Sequence, residues 1–452
     1  MKIVQSTNYC FFYNNRNLAD ALDLQVTRDL QVFGISHLKK ANFFPLVFNS
    51  LQRSGFLLKK ALNDEISECF DEVVALRRDF HRHPELGFQE YRTAAKVEEY
   101  LKELGIPTER IAGTGVVGLI KGSKPGKTLL LRADMDALPV QEASGLPFAS
   151  ETPGVMHACG HDGHMAMLLV AAKLLMARRD QLYGNVKLVF QPNEESDGAI
   201  HLIREGVLES PKVDTAFAVH LWTPLPSGTI GLQAGPVMGE MFIFKIKLTG
   251  KGGHSSAPQE GIDPILCAAS VIQGVQAIQT REISSLNPTT IVFGKITSDG
   301  AYNVISGQVM LEGTLRYLYD GEDNTPQHPK KRFRRVVEGL CAAHNVGCEI
   351  ELIPSNYTVI NDAGSVAFLK EQVLPHLVTA DCIQPYCCMA GEDFSEFTNR
   401  AGIPGALVFI GTGNPEAGSH HAHHTAQFNI DEATLLDGVR LHVHTALEYL
   451  SE

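Results

Sequence analysis

Eight consecutive residues, His157-Ala158-Cys159-Gly160-His161-Asp162-Gly163-His164, combine a thiol, three imidazoles and a carboxylate. Thiolate and imidazole together suit divalent transition ions such as Zn, Mn, Ni or Co. A Cys-x-His pair can equally be a buried thiol beside a surface histidine, so the run gains its weight from donors elsewhere in the chain. Gln191-Pro192-Asn193-Glu194-Glu195, then His220, then His420, His421, His423 and His424 supply them, each far from the last. Such a set implies a site assembled by folding, not a local finger.

The other polar groups divide naturally into roles. Of the adjacent carboxylates, one of Glu194 and Glu195 can ligate a cation while the other takes a proton from water. In Asp134-Met135-Asp136 the two carboxylates fall on one side of an extended segment, and one can accept a hydrogen bond from a ligand histidine. Lys251-Gly252-Gly253-His254-Ser255-Ser256 puts His254 on a glycine turn, from which it could stabilise an oxyanion. Asn303 and Arg316 lie further along, and a guanidinium can grip a substrate carboxylate bidentately. Each motif has a plainer reading as solvated surface groups. There is no Walker sequence, no Gly-x-Ser-x-Gly elbow and no dinucleotide fingerprint after a strand, so nucleotide binding and serine hydrolysis have no positive support.

The elements that must position these groups can be read from periodicity. Ile66, Phe70, Val73, Val74, Leu76 and Phe80 recur at helical spacing, and a second helix is predicted over Thr93–Leu104. Apolar strand-like runs at Val116–Ile120, Thr128–Leu131, Val186–Phe190 and Thr215–Val219 enclose an apolar helix at His164–Ala177. That alternation predicts an α/β fold, a mostly parallel sheet with helices on both faces. Asp134, the Glu194-Glu195 pair and His220 each come at the end of a strand, and open α/β sheets gather ligands at the carboxyl ends of their strands.

From Met241 the pattern changes. Strand Phe242–Leu248, helix Asp263–Gln279, strands Thr290–Ile296 and Gln308–Tyr317, helix Pro329–His344 and strand Cys348–Ile353 give the order β-α-β-β-α-β, a ferredoxin-like pattern. The expected organisation is a discontinuous catalytic domain at 63–240 and 355–452, with a domain inserted at 241–354. After the insertion come helix Asp362–Leu377, strand Ala406–Ile410 and a final helix from Asp431. The strand leads through Gly411-Thr412-Gly413 toward the histidine cluster.

At 452 residues the chain is too long for one compact core. A net charge of −12 argues against nucleic acid as a partner, and no apolar run is long enough to cross a bilayer. Nine scattered cysteines do not form a disulfide framework and point to the reducing cytoplasm. Residues 1–60 hold eight Lys/Arg against three Asp, unlike the acidic remainder, and lack a secretory pattern. Residues 1–62 are therefore set apart as an extension with no assigned role.

These motifs resemble the metal-dependent aminoacylase/carboxypeptidase family. They look closest to its branch of hippurate hydrolases, N-acyl-amino-acid amidohydrolases, N-acetyldiaminopimelate deacetylases and auxin-conjugate hydrolases. The resemblance rests on Phe80–Gly87, Arg132–Pro139, Met156–His164, Gln191–Glu195, Gly252–Ser256, Met389–Phe394 and His424-Thr425, and spans roughly residues 65–450. It implies two divalent metal ions per subunit (Mn, Zn, Ni or Co) and an inserted lid that also makes a homodimer. Carried over by position, Cys159, His161, Glu195, His220 and His424 would be ligands, with Cys159 bridging. His424 stands before Thr425 as in the family, with His423 the alternative. Glu194 would be the general base, Asp136 its supporting carboxylate and His254, from a neighbouring subunit, the group that polarises the carbonyl. Asn303 and Arg316 would touch substrate. Asn193 departs from the branch, which usually has Ala there. The implied activity is hydrolysis of N-acyl amino acids to a carboxylate and a free amino acid; the alternative is a metallo-dipeptidase or carboxypeptidase with the same site.

Overall fold

The structure, a computed structural model, describes residues 61–319 and 328–452. The extension expected at 1–62 lies almost wholly outside them. The described fold is that of the compact unit Glu65–Glu452.

An eight-stranded sheet runs from one edge through Thr108–Ile111, Gly115–Lys121, Tyr183–Gln191, Lys124–Asp134, Thr215–Pro226, Gly405–Gly413, Ile230–Gly231 and Ile383–Gln384. Its four middle strands, Tyr183–Gln191 to Gly405–Gly413, are mutually parallel, and Gly115–Lys121 joins them antiparallel. Parallel strands covered on both faces are apolar along their whole length. Leu129, Leu130 and Leu131 are accordingly buried in succession, as are Leu188, Val189 and Phe190. The helix His161–Met176 buries fourteen of its residues, from His161 to Leu175.

Register aligns the carboxyl ends of these strands. Asp134 sits opposite Gln191, Arg132 opposite Ala218, and His220 opposite Phe409. The segments that leave this edge carry Asp136, Glu194 and the 420–424 histidines.

A second, four-stranded antiparallel sheet has the order Thr289–Ser298, Gln308–Tyr317, Glu240–Thr249, Gly347–Asn356. Phe242, Phe244, Ile246 and Leu248 alternate into a core shared with helices Pro264–Gly274 and Pro329–Ala343. The intervening positions, including Met241, therefore belong to the other face.

Two helices are shorter than their periodicity predicts. The stretch Asp362–Leu377 is α-helical only over Ala363–Phe368, then passes through a π-turn, Leu369–Val373, and a 3-10 turn, Leu374–His376. Pro375 has no N–H to donate and its ring crowds the preceding turn, so regular helix cannot continue there. The Asp263–Gln279 stretch likewise ends its α-helix at Gly274.

Candidate metal centre

Cys159, His161, His220, Glu194 and Glu195 converge at the carboxyl edge of the large sheet. Gly160 adopts φ of 94°, a conformation that L side chains rarely take. This turn lets Cys159 end a loop while His161 begins the long helix.

The second ring nitrogen of each histidine aims the first. His161 Nδ1 donates to the backbone oxygen of Asp136 at 2.9 Å, and His220 Nδ1 donates to Leu221 O at 2.9 Å. In the neutral form of each ring this leaves the Nε2 lone pair free, the arrangement expected of a metal ligand. His220 Nε2 lies 3.8 Å from Cys159 Sγ, and His161 Nε2 is buried with no hydrogen-bond partner. Glu195 Oε1 is also buried and unpartnered; His424 Nε2 lies 3.1 Å away, without hydrogen-bond alignment.

Among the described residues several groups of donors lie close enough together to hold an ion, and two of them contain Cys159: Cys159, His161 and His220, and Cys159, Glu195 and His424. Cys159 belongs to both. The electrostatics match this reading. Burial and the charges of Glu195, Glu194 and Asp134 hold the Cys159 thiol well above its usual range. Burial, then the charges of Glu392, Glu195 and Asp393, do the same to Glu194. A buried thiol and carboxylates so crowded fit divalent cations, which neutralise them. The orphaned His161 Nε2 and Glu195 Oε1 fit the same ions.

Asp136 lies behind the cluster, 2 % exposed. Its Oδ1 accepts from the backbone N–H of Glu194 at 2.9 Å and its Oδ2 from that of Glu195 at 3.1 Å. One carboxylate thus orients the whole Glu-Glu turn. Asn193, which opens that turn, has φ of 55°. Asn tolerates the left-handed region far better than Ala, which accounts for the departure at this position.

The histidine cluster resolves by what each ring touches. His423 is packed 4.3 Å from the Trp222 ring and donates through Nε2 to Leu221 O at 3.1 Å. His424, with φ of 64°, is tied by its own N–H to Ala158 O at 2.8 Å and faces Glu195.

Other sequence candidates divide. Arg316 lines the same cavity of about 480 Å³ as Cys159, Glu194, Glu195, His220 and His424. His254 and Asn303 do not line it. His254 lies in a short ladder, Gly253–His254 paired with Val304–Ile305, and its Nδ1 accepts from the Ser256 hydroxyl at 2.7 Å; Asn303 O, just before that ladder, accepts from Ser255 N–H at 3.1 Å.

The sequence reading missed the buried network under the site. Arg132, 1 % exposed, donates to Asp134 at 2.6 Å, Glu392 at 2.9 Å, Asp393 at 3.0 Å and Gln191 at 2.9 Å. Asp134 also accepts from His164 Nδ1 at 2.6 Å, while His164 Nε2 accepts from Leu221 N–H. Both nitrogens of His164 are thus engaged and it is not a free ligand. One signal was available: Arg132 and Asp134 follow the apolar run Leu129–Leu131, are two apart on one face of the strand, and must be paired to be buried.

Trp222, the chain's single tryptophan, packs edge-on to His220 at 5.0 Å between ring centres. Adding Zn or Mn to metal-free protein is expected to change its emission intensity or wavelength. An unchanged spectrum with metal uptake confirmed would count against His220 as a ligand.

The family described as Peptidase family M20/M25/M40 matches residues 130–448. Thermostable carboxypeptidase 2 of Saccharolobus solfataricus is 38% identical over 397 residues, 87% of this chain and 99% of its own. IAA-amino acid hydrolase ILR1-like 4 of Arabidopsis thaliana is 35% identical over 426 residues, covering 92% of this chain and 94% of its own. A solved structure from Bacillus subtilis, described as a dinuclear metal binding peptidase from the M20 family, superposes with a TM-score of 0.73 at 32% identity. It covers 85% of this chain and 99% of its own. With most of its length matched and residues able to hold metal gathered at one sheet edge, this chain belongs to peptidase family M20/M25/M40 and is a hydrolase of amide bonds.

Proposed function

We propose that the protein hydrolyses N-acyl amino acids to a carboxylate and a free amino acid. The observation that carries this reading is Cys159, common to two ligand groups with Glu194 alongside. Cys159, His161 and His220 would hold one divalent ion, and Cys159, Glu195 and His424 a second. Such ions, when bound, polarise a carbonyl and lower the pKa of water toward about 7. Glu194 takes the proton of the attacking water and passes it to the leaving amine, which departs uncharged. Asp136 is a positioning residue that keeps the Glu194-Glu195 turn aimed. Arg316, whose guanidinium has no ion-pair partner among the described residues, binds the substrate carboxylate.

His254 and Asn303 act, in this proposal, from the partner subunit of a homodimer, stabilising the oxyanion and contacting substrate. The 241–354 segment is then an inserted lid and dimerisation domain. Support comes from its exposed apolar residues: Val292 and Ile296 on the edge strand, Ile265 and Leu266 on a helix, and Tyr302 beside Asn303. Mixing His254→Ala with Glu194→Ala protein should restore roughly a quarter of wild-type activity by random pairing of a two-fold dimer. No recovery would mean that His254 does not act across subunits. The eight free cysteines among the described residues support a reducing, cytoplasmic setting.

The second reading, a dipeptidase or carboxypeptidase, is favoured by the names of some relatives. Amine release from N-acetyl amino acids, N-benzoyl amino acids and dipeptides, with Mn or Zn and with chelator, separates the two. Chelator-sensitive cleavage of acyl amino acids over dipeptides is expected. Dipeptide preference would establish the rival, and chelator-resistant cleavage would overturn the metal-dependent mechanism.

A further inference from the structure

Three methionines, Met238, Met241 and Met389, line the cavity together with Arg316. Met241 is the direct cross-strand partner of Arg316. Residues so paired on antiparallel strands project from one face with Cβ atoms about 4.5–5.5 Å apart. Arg316 Nη1 donates to the backbone oxygen of Met389 at 3.0 Å, and Met238 bridges to Cys388, the neighbour of Met389. The half-buried guanidinium therefore shares its cavity wall with three methionines, and no carboxylate lies in ion-pair range of it among the described residues.

This arrangement constrains the substrate beyond its carboxylate. In an α-amino acid the side chain leaves the carbon bonded directly to the carboxylate. A carboxylate seated on Arg316 consequently brings that side chain against the methionines. Thioether side chains are flexible and polarisable, so they accept several apolar shapes. Glu194, Glu392 and Asp393 line the same cavity and would repel a second carboxylate.

We infer that the site selects N-acyl derivatives of apolar amino acids such as Leu, Met and Phe, and discriminates against those of Asp and Glu. The inference rests on the amidohydrolase reading and deepens it. Met241 and Met389 are its specificity-determining residues.

The test is kcat/KM of the full-length, metal-loaded enzyme on matched N-acetyl and N-benzoyl series in which only the amino acid changes. Leu, Met and Phe derivatives are expected to exceed the Ala derivative by roughly 10- to 100-fold, with Asp and Glu derivatives below it. Met241→Ala should shrink the Leu-to-Ala ratio, and Met241→Lys should move the Asp-to-Leu ratio toward Asp. A merely structural role would lower all substrates alike and leave both ratios fixed. Equal rates across the side chains would overturn the inference and leave the amidohydrolase reading standing. Cleavage of no member of either series would overturn both.

Discussion

Glu194→Gln lowers kcat by roughly 10²- to 10⁴-fold, the range lost when a general acid–base group is removed, while bound metal stays. The substitution keeps the shape of the side chain and removes only its ability to take and return a proton. The surroundings of Glu194 fit that proposed task. It is 9 % exposed, its backbone N–H is held by Asp136, and its Oε1 accepts from the Asp393 N–H at 3.3 Å. Burial and three neighbouring carboxylates raise its affinity for a proton. Its backbone position is fixed independently of its charge, so Asp136 and Glu195 should not move in the variant. Single-turnover kinetics with metal content measured alongside provide the check. Near-normal turnover with metal retained would remove Glu194 from the chemistry.

Arg132→Met costs stability more than any surface change can. Its guanidinium is enclosed by Asp134, Glu392 and Asp393, each 2 % exposed or less. Burial opposes the charge, but the carboxylates of Glu392, Asp134 and Asp393 outweigh it and hold the proton on Arg132. Removing one member of a buried ion cluster leaves the others uncompensated, at about 3–5 kcal/mol. For a chain of this size the melting temperature should fall by about 3–6 °C. Arg132→Lys should recover only part of the loss, because an ammonium cannot span three carboxylates as a planar fork does. Calorimetry of the three proteins decides. An unchanged melting temperature in Arg132→Met would mean that protonated carboxylates, and not Arg132, balance the network.

Local chemistry was readable because it is written in neighbouring residues. Cys159-Gly160-His161 declares a soft and a borderline donor across a glycine turn. Gln191-Pro192 stops a strand just before two carboxylates, and His220 sits near the end of a run of buried apolar residues. The mostly parallel sheet was equally legible from unbroken apolar strands alternating with helices. Periodicity was less reliable where a single residue vetoes it, as Pro375 does within the stretch Asp362–Leu377.

Composition and spacing by themselves determined that donors of metal-ligating type stand at the ends of strands in an α/β sheet. Only the tertiary structure decided which donors meet. Arg132 finds Glu392 at 260 residues' separation, a pairing that no local pattern encodes. Backbone geometry turns His424 toward Glu195 and leaves His423 bonded to Leu221 and packed against Trp222. Of His254, Asn303 and Arg316, all on one stretch of chain, the cavity of a single chain takes only Arg316. The physical reason is the same in each case. Side-chain type sets what a residue can bind, but the low dielectric and fixed geometry that make binding strong arise only when distant segments bury one another.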